Sequence, residues 1–141
     1  MREILFKAKR VDNGEWVEGL LWKKKYNDGN RIFISCFPKK DDNEEVYVVC
    51  PETVGQFTGL TDKNGNRIFE GDIVIRVFTL WHGETKKTRN AQIGVVVYSN
   101  RDCSFQVEKK CNLRKPWDGD TIEVIGNIHD NPELLESEDT E

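Results

Sequence analysis

Hydrophobic and polar residues alternate in short segments along most of this chain, and turn-forming residues separate the segments. Near the N-terminus, apolar Ile4, Phe6 and Ala8 occupy every second position, the turn sequence DNG follows at 12–14, and the alternation resumes over 16–21. A period of two is typical of half-buried β-strands, and Asn-Gly favours a type I′ turn, in which both central residues have positive φ. The pattern therefore predicts an N-terminal β-hairpin.

Strand signals continue through the rest of the chain, whereas helix signals are almost absent before the C-terminus. A continuous apolar run at 45–50 predicts a strand that is buried on both faces. Asn131 as N-cap and Pro132 at the first helical position predict a single helical turn. The other predicted strands, taken from runs of β-branched and aromatic residues, are 31–37, 73–78, 93–98, 103–108 and 121–128. The polar stretches between them, interpreted as connections, are 23–30, 39–44, 79–92 and 109–120.

These elements predict an all-β fold of small antiparallel barrels, with a short C-terminal helical turn. From Gly71 onward, the order of a Gly-Asp entry, a strand, a long loop, a hairpin and a closing strand is that of an SH3-like barrel. We divide the chain into an N-terminal β lobe at 1–53, a turn-rich connector at 54–72, a C-terminal β-barrel lobe at 73–136 and a disordered tail at 137–141. A single compact unit is also compatible with 141 residues.

Cysteine spacing and hydropathy indicate where the chain is expected to work. Cys36, Cys50, Cys103 and Cys111 are widely spaced, and no CxxC occurs, so we expect reduced and mostly core-facing thiols. No apolar run approaches the roughly 20 residues that cross a bilayer, and the opening MREILFKAKR lacks the apolar region of a signal peptide. The expected location is the cytoplasm.

The balance of charges excludes two extreme classes of protein. The net charge is −4, but six of the 25 acidic residues lie in 130–141, where no Lys or Arg occurs, which leaves 21 basic against 19 acidic residues in the rest of the chain. This excess is much weaker than the basic stripe of a dedicated nucleic-acid binder. It is also incompatible with an acidic mimic of DNA.

The most distinctive segment is VGQFTGLTDKNGNRIFEGDIV at 54–74. Its glycines mark bends, and Thr61 and Asp62 are suited to hydrogen-bond the turn backbone, so we interpret it as a structural connector rather than a ligand loop. Together with IEVIGNIHDNPELLE near the C-terminus and MREILFKAKRVDNGEWVEGLLW at the start, this segment resembles the YopX family of bacteriophage and prophage proteins. The resemblance implies a mainly β fold and an origin in a mobile element, and it carries no catalytic residue or cofactor onto this chain.

No recognisable catalytic or metal-binding motif occurs in the sequence. Asp62, Asn64 and Asn66 alternate like the oxygen ligands of a calcium loop, but an EF-hand requires Gly and Glu where this chain has Arg67 and Ile73. Zinc-site spacings, nucleophile motifs around the two histidines and glycine-rich phosphate loops are also missing. We therefore predict a protein that is not an enzyme and holds neither a cofactor nor a metal.

Function is accordingly expected to lie in binding. We expect a phage or prophage accessory protein that binds a host or phage protein, in host takeover or counter-defence, through loops at 79–92 and 109–120. The alternative is a β-barrel that binds nucleic acid through the basic residues of the same loops. The chain could also form a homo-oligomer, and no membrane partner is expected. The candidate partner-binding residues are Trp81, Lys86, Lys87, Arg89, Arg114, Lys115 and Trp117.

Overall fold

A computed structural model describes residues 3–36, 45–108, 114–115 and 121–136. Antiparallel β-strands dominate it, with one short helical turn near the C-terminus, so the predicted all-β class is confirmed. The chain divides into two compact units, Met1–Gly59 and Leu60–Glu141, and the division falls inside the predicted connector at 54–72. The first strands are β1 (Phe6–Lys9), β2 (Trp16–Tyr26), β3 (Gly29–Cys36), β4 (Glu45–Val49) and β5 (Gly55–Thr61).

The Met1–Gly59 unit is built on a sheet with the strand order β4-β3-β2-β1-β5. The long strand β2 pairs with β1 through residues 16–19 and with β3 through residues 20–26. Gly19 lies where the partner changes, and a Cβ atom there would sit 2.1 Å from the carbonyl oxygen of Ser35. Only glycine permits this close approach of two strands. One face of the sheet forms the core, around buried Ala8, Ile34 and Val49.

Three local predictions for this unit need correction. The first hairpin exists, but Gly14 has positive φ and Asn13 does not, so its turn is not type I′. The stretch 23–30 is not a connection, because β2 runs on to Tyr26 and β3 begins at Gly29. Strand β4 is buried on one face only, because Val49 is buried whereas Val46 and Val48 are exposed. The predicted loop at 39–44 lies outside the described residues.

The outer edge of β4 meets the end of β1. Arg10 and Val49 form an isolated antiparallel bridge. On either side of it, the Val11 N–H donates to the Val48 carbonyl at 3.0 Å, and the Cys50 N–H donates to the Lys9 carbonyl at 2.9 Å. A single bridge is not a ladder of paired strands. The described strands of this unit therefore form an open sheet rather than the predicted closed barrel.

The Leu60–Glu141 unit contains a second antiparallel sheet, with the strand order β10-β9-β8-β7-β11. Its core is built around Val74, Val96, Val107 and Ile122. The strands follow the predicted order after Gly71, but the pairings described for them also form an open sheet. The strands of this sheet are β7 (Asp72–His82), β8 (Lys86–Ser99), β9 (Ser104–Glu108), β10 (Arg114–Lys115) and β11 (Ile122–Asn127). Strand β6 (Arg67–Phe69) follows β5 in the order of the first sheet. The helical turn α1 is Glu133–Glu136.

The Gly-Asp entry to β7 is a tight turn held by backbone and side-chain bonds. Gly71 has a φ of +91°, its N–H donates to the Val96 carbonyl at 2.8 Å, and its carbonyl accepts the Ile128 N–H at 3.0 Å. The side chain of Asp72 is buried, and its Oδ2 accepts the Phe69 N–H at 2.8 Å. Glycine is needed at this φ, and a carboxylate satisfies a backbone donor that water does not reach.

The prediction of a loop at 79–92 is wrong. Strands β7 and β8 continue through it as one long hairpin, and the turn occupies only 83–85, where Gly83 has a φ of +78°. Polar residues with strand propensity, such as threonine, look like a loop in sequence but pair well in a two-stranded ribbon whose faces both meet water. The stretch 109–120 is described only at Arg114–Lys115, which form β10 beside β9.

Of the described cysteines, Cys36 packs against the core around Ala8, Ile34 and Val49, as expected of a core-facing thiol. Cys36 and Cys50 are half-buried free thiols, and Cys103 is exposed in the turn before β9 with a φ of +53°. A thiol at a tight turn points away from the strand face predicted for it, which corrects that prediction. Cys111 and the predicted tail at 137–141 lie outside the described residues. Before α1, the Oδ1 of Asn131 accepts the Asn127 N–H at 3.3 Å, and the Asn131 carbonyl accepts the Leu134 N–H at 3.1 Å.

Candidate functional site

The outer face of the Met1–Gly59 sheet carries large apolar side chains, opposite the core face. Successive side chains of a strand point to opposite faces, so those at 20, 22 and 26 point away from core-facing Leu21. The strand register places Trp22 opposite Phe33 and Phe33 opposite Val48. The residues of this surface, called here the aromatic face, are Leu20, Trp22, Tyr26, Phe33, Val46 and Val48.

The centre of the aromatic face is held rigidly by contacts among its own side chains. The rings of Trp22 and Phe33 are stacked, with centroids 4.3 Å apart and planes 13° from parallel. The Tyr26 ring lies beside Phe33, with the ring centroids 6.5 Å apart and the planes tilted by 45°. The indole Nε1 of Trp22 donates to the Ser35 Oγ at 2.7 Å. A ring fixed by both stacking and a hydrogen bond loses little conformational entropy when a partner covers it.

The aromatic face is open to solvent around that centre. The exposed fractions are 50% for Leu20, 43% for Val46, 40% for Trp22 and 39% for Val48. The solvent side of an antiparallel sheet is ordinarily polar. Apolar side chains that adjoin one another on such a face mark an interaction surface more often than scattered single residues do.

Cationic side chains border the aromatic face. The Arg31 guanidinium lies 4.5 Å from the centroid of the Tyr26 ring, and the Lys24 ammonium lies 5.4 Å from it. Arg31 also forms a salt bridge of 3.1 Å with Asp28. Along the β1 side, Lys7 and Lys9 lie 4.9 Å and 5.5 Å from the ring centroid of Trp16. The basic rim, as we call this border, comprises Lys7, Lys9, Lys24 and Arg31.

Four of the seven sequence-predicted binding residues lie in the second unit, on the long hairpin. Strands β7 and β8 pair with each other from Val77 opposite Ala91 to His82 opposite Lys86. In the described part of the sheet, β11 pairs only with residues 72–76 of β7, and β9 only with residues 95–99 of β8. Residues 77–91, called here the basic ribbon, therefore extend beyond the sheet as two strands. Every residue from 81 to 89 is exposed.

Four of the seven predicted residues come together on the basic ribbon. Trp81 is 64% exposed and lies directly opposite Lys87, whose Nζ is 5.8 Å from the indole centroid. Lys86 and Arg89 flank this pair. Of the other three, Arg114 and Lys115 form β10, and Trp117 lies outside the described residues.

A buried carboxylate explains the calcium-like spacing in the turn after β5. Asp62 is 3% exposed, and its Oδ1 accepts the N–H groups of Asn64 and Asn66 while its Oδ2 accepts that of Val124, each at 2.9 Å. Burial acts to raise the pKa of Asp62, but the backbone donors of Val124, Asn66 and Asn64 outweigh it and hold that pKa below its ordinary 3.8. Both carboxylate oxygens of Asp62 are therefore occupied by backbone hydrogen bonds that stabilise the fold. Nowhere in the described ranges do three or more His, Cys, Asp or Glu side chains form a group suited to a metal.

Comparison with known proteins gives a family and a related fold. None of the helices in the described residues has the length and apolar character to span a membrane. No curated protein matches the chain. Among solved structures, the chain is similar to the crystal structure of protein EF1440 from Enterococcus faecalis, at 25% sequence identity and a TM-score of 0.56, over 96% of this chain and 99% of that chain. The family model described as YopX protein matches residues 5–136, nearly the whole length. The resemblance noted in the sequence is thereby confirmed, and the chain belongs to the YopX family.

Proposed function

We propose that this chain is a non-enzymatic binding module whose aromatic face docks onto an acidic surface of a partner protein. The observation that carries the proposal is the exposure of Leu20, Trp22, Val46 and Val48 on one face around a packed aromatic centre. Rigid aromatic residues ringed by aliphatic ones are the usual composition of the dominant contacts in a protein interface.

The charge of the partner follows from the basic rim. On this face the hairpin tip carries two cations, Lys24 and Arg31, and Asp28 is the one carboxylate within 23–31. Lys7 and Lys9 extend the positive border along β1, where Glu18 is the facing carboxylate. Charges at the edge of an interface act chiefly on the rate of association and on partner choice. A protein surface that presents an apolar centre within acidic residues therefore complements this face.

The contacts of the rings favour a protein over a single-stranded nucleic acid at this face. Bases stack on aromatic rings whose faces are open. Here Trp22 is stacked on Phe33, and Tyr26 has Arg31 and Lys24 close to its ring. The remaining exposed groups of the face, Leu20, Val46 and Val48, are aliphatic and have no ring on which a base could stack.

The biological setting is part of the proposal. Members of the YopX family are encoded by bacteriophages and prophages, as the sequence resemblance implies, and this supports a role in the cytoplasm of an infected or lysogenic bacterium. The partner is then a host or phage protein, engaged in host takeover or counter-defence. The binding mode asks for no catalytic group, cofactor or metal.

Affinity capture from nuclease-treated bacterial lysate, followed by titration of the purified partner, tests this proposal. The variant combines Leu20→Thr, Val46→Thr and Val48→Thr, because threonine is β-branched and suits a strand while it replaces an apolar side chain with a polar one. Loss of about one apolar contact per residue is expected to raise Kd about 100-fold. The matched control replaces three exposed apolar residues elsewhere, Ile4→Thr, Val11→Thr and Leu60→Thr.

The outcomes separate the alternatives. Retention of one protein partner after nuclease, with binding lost only in the aromatic-face variant, supports the proposal. Equal binding by that variant and the control refutes it, because the face is then not the interface. Disappearance of all captured proteins after nuclease also refutes it, since nucleic acid then mediates the contact.

A further inference from the structure

We propose that the basic ribbon inserts into the major groove of double-stranded DNA and contacts phosphates on both walls of the groove. This site belongs to the second unit and uses none of the residues of the aromatic face. Its geometry is that of a two-stranded arm: in the described sheet, residues 77–82 and 86–91 pair only with each other. The described side chains of this arm, at 77, 81–89 and 91, are all exposed.

The cations of the ribbon are divided between its two faces. Adjacent residues of a strand point in opposite directions, so Lys86 lies on the face opposite to Lys87 and Arg89. The strand register puts Trp81 on the Lys87 side and His82 on the Lys86 side. A flat protein surface would meet one face and leave the other cations in water. A groove has phosphates on both sides of whatever enters it, which suits cations on both faces.

The charge of the ribbon is local and not a property of the whole chain. Residues 77–91 contain three cations and one carboxylate, Glu84, although the chain as a whole has a net charge of −4. Oppositely charged groups farther away than the Debye length, about 8 Å at physiological salt, are largely screened. The ribbon therefore attracts a polyanion independently of the acidic residues elsewhere.

The width of the ribbon fits the major groove of B-form DNA. Two paired strands lie about 4.8 Å apart, and the major groove of B-form DNA, about 12 Å wide, admits a two-stranded ribbon. The six residue pairs from Val77–Ala91 to His82–Lys86 extend about 20 Å at the usual strand rise. In duplex RNA, the major groove is too deep and narrow for side chains to enter. DNA is accordingly the duplex that the ribbon fits.

Trp81 adds an apolar contact at the exposed end of the ribbon. It is 64% exposed, and Lys87 lies over its ring at 5.8 Å. An apolar side chain in the major groove contacts thymine methyl groups, while phosphate contacts carry no sequence information. The expected binding is thus mainly electrostatic, with little sequence preference.

Fluorescence anisotropy with a labelled 20-base-pair duplex and the full chain tests the proposal. Three phosphate contacts predict a slope of about −2.7 for log affinity against log salt, or a fall of about 40-fold between 50 and 200 mM salt. The test variant combines Lys86→Gln, Lys87→Gln and Arg89→Gln. The matched control removes the same number of cations from other exposed positions of the same unit, Lys63→Gln, Arg67→Gln and Arg101→Gln.

The ribbon variant is expected to lose nearly the whole salt slope, and each single change is expected to reduce the magnitude of the slope by about 0.9, a third of the total. Trp81→Ala is expected to weaken binding without altering the slope, because an uncharged side chain releases no counterions. A ribbon variant that keeps the wild-type slope overturns the proposal, as does a control that loses as much as the ribbon variant. Tighter binding of the single strand than of the duplex also overturns it, because the groove is then not the ligand. Circular dichroism confirms that each variant is folded before titration.

Discussion

Replacing Asp62 with asparagine is expected to destabilise the Leu60–Glu141 unit far more than the loss of one surface charge would. The carboxylate joins two segments that are distant in sequence, because it bonds the turn at Asn64 and Asn66 and also the Val124 N–H in β11. The Val124 contact lies where the pairing of β11 with β7 shifts register. Asp62 therefore supplies an acceptor at a point where the ladder does not.

The magnitude follows from the number of donors that the carboxylate serves. Asparagine keeps one oxygen for the turn donors, but its NH₂ group would face the Val124 N–H, donor against donor. A buried donor left unsatisfied costs about 1–3 kcal/mol, and the hydrogen bonds that remain lose their charge assistance. Asp62→Asn is expected to lower the free energy of unfolding of this unit by about 2–4 kcal/mol. Glu84→Gln, in the exposed turn of the long hairpin of the same unit, is the control and is expected to change this free energy by less than about 0.5 kcal/mol.

The pH dependence gives an independent check. The folded pKa of Asp62 is lower than the unfolded one, so its contribution is complete above the ordinary value of 3.8 and is lost as the pH falls through the folded pKa. Urea denaturation is measured at a series of pH values, with hydrogen exchange assigning the change to β11 and the turn. The difference between wild type and Asp62→Asn should shrink below pH 3.8. A difference of under about 0.5 kcal/mol at pH 7, or one that stays constant down to pH 2.5, would refute the reasoning.

Other replacements test the close approaches and the thiols. Gly19→Ala is expected to lower the stability of the Met1–Gly59 unit by about 2–3 kcal/mol in thermal unfolding, because its Cβ would meet the Ser35 carbonyl oxygen at 2.1 Å; an unchanged unfolding profile would contradict the packing. At Gly71 an added Cβ would have room, because the nearest atoms, in the Ile128 side chain, are 3.8 Å away. Gly71→Ala is therefore expected to lower the free energy of unfolding by only about 1–2 kcal/mol, through backbone strain at a φ of +91°. With the other two cysteines replaced by serine, Cys103 is expected to react with a disulfide reagent before Cys36, because burial and the nearby Glu45 raise the pKa of Cys36; the reverse order, followed by absorbance, would show that exposure does not control the reaction.

Turn chemistry was predictable from sequence because it is local. The turn after β5 is fixed by an aspartate that bonds the N–H groups two and four residues onward. The entry to β7 needs a glycine with positive φ followed by an aspartate, and both residues stand next to each other in the chain. Interactions within a few residues leave a clear pattern in sequence, so these bends and the all-β class were predicted correctly.

The binding surfaces were harder to predict because they depend on which strand lies beside which. The run at 45–50 is apolar on both faces, and only the register with β3 shows that Val46 and Val48 lie on the exposed face with Phe33. Likewise, Trp22 lies among lysines in sequence, and only the register with β3 brings it onto Phe33. The ribbon residues were identified by their composition, but the polar alternation of 79–92 concealed the strands that carry them.

The contact between the end of β1 and the outer edge of β4 bears on how the protein avoids self-assembly. An apolar strand such as EVYVV with a vacant edge is a template on which further copies can add in cross-β fashion. The bonds from Val11 to the Val48 carbonyl and from Cys50 to the Lys9 carbonyl bring the first hairpin against that edge. A chain truncated before Val11 would lose this cover together with β1, and the shortened protein would be prone to fibril formation even where its remaining strands stay folded.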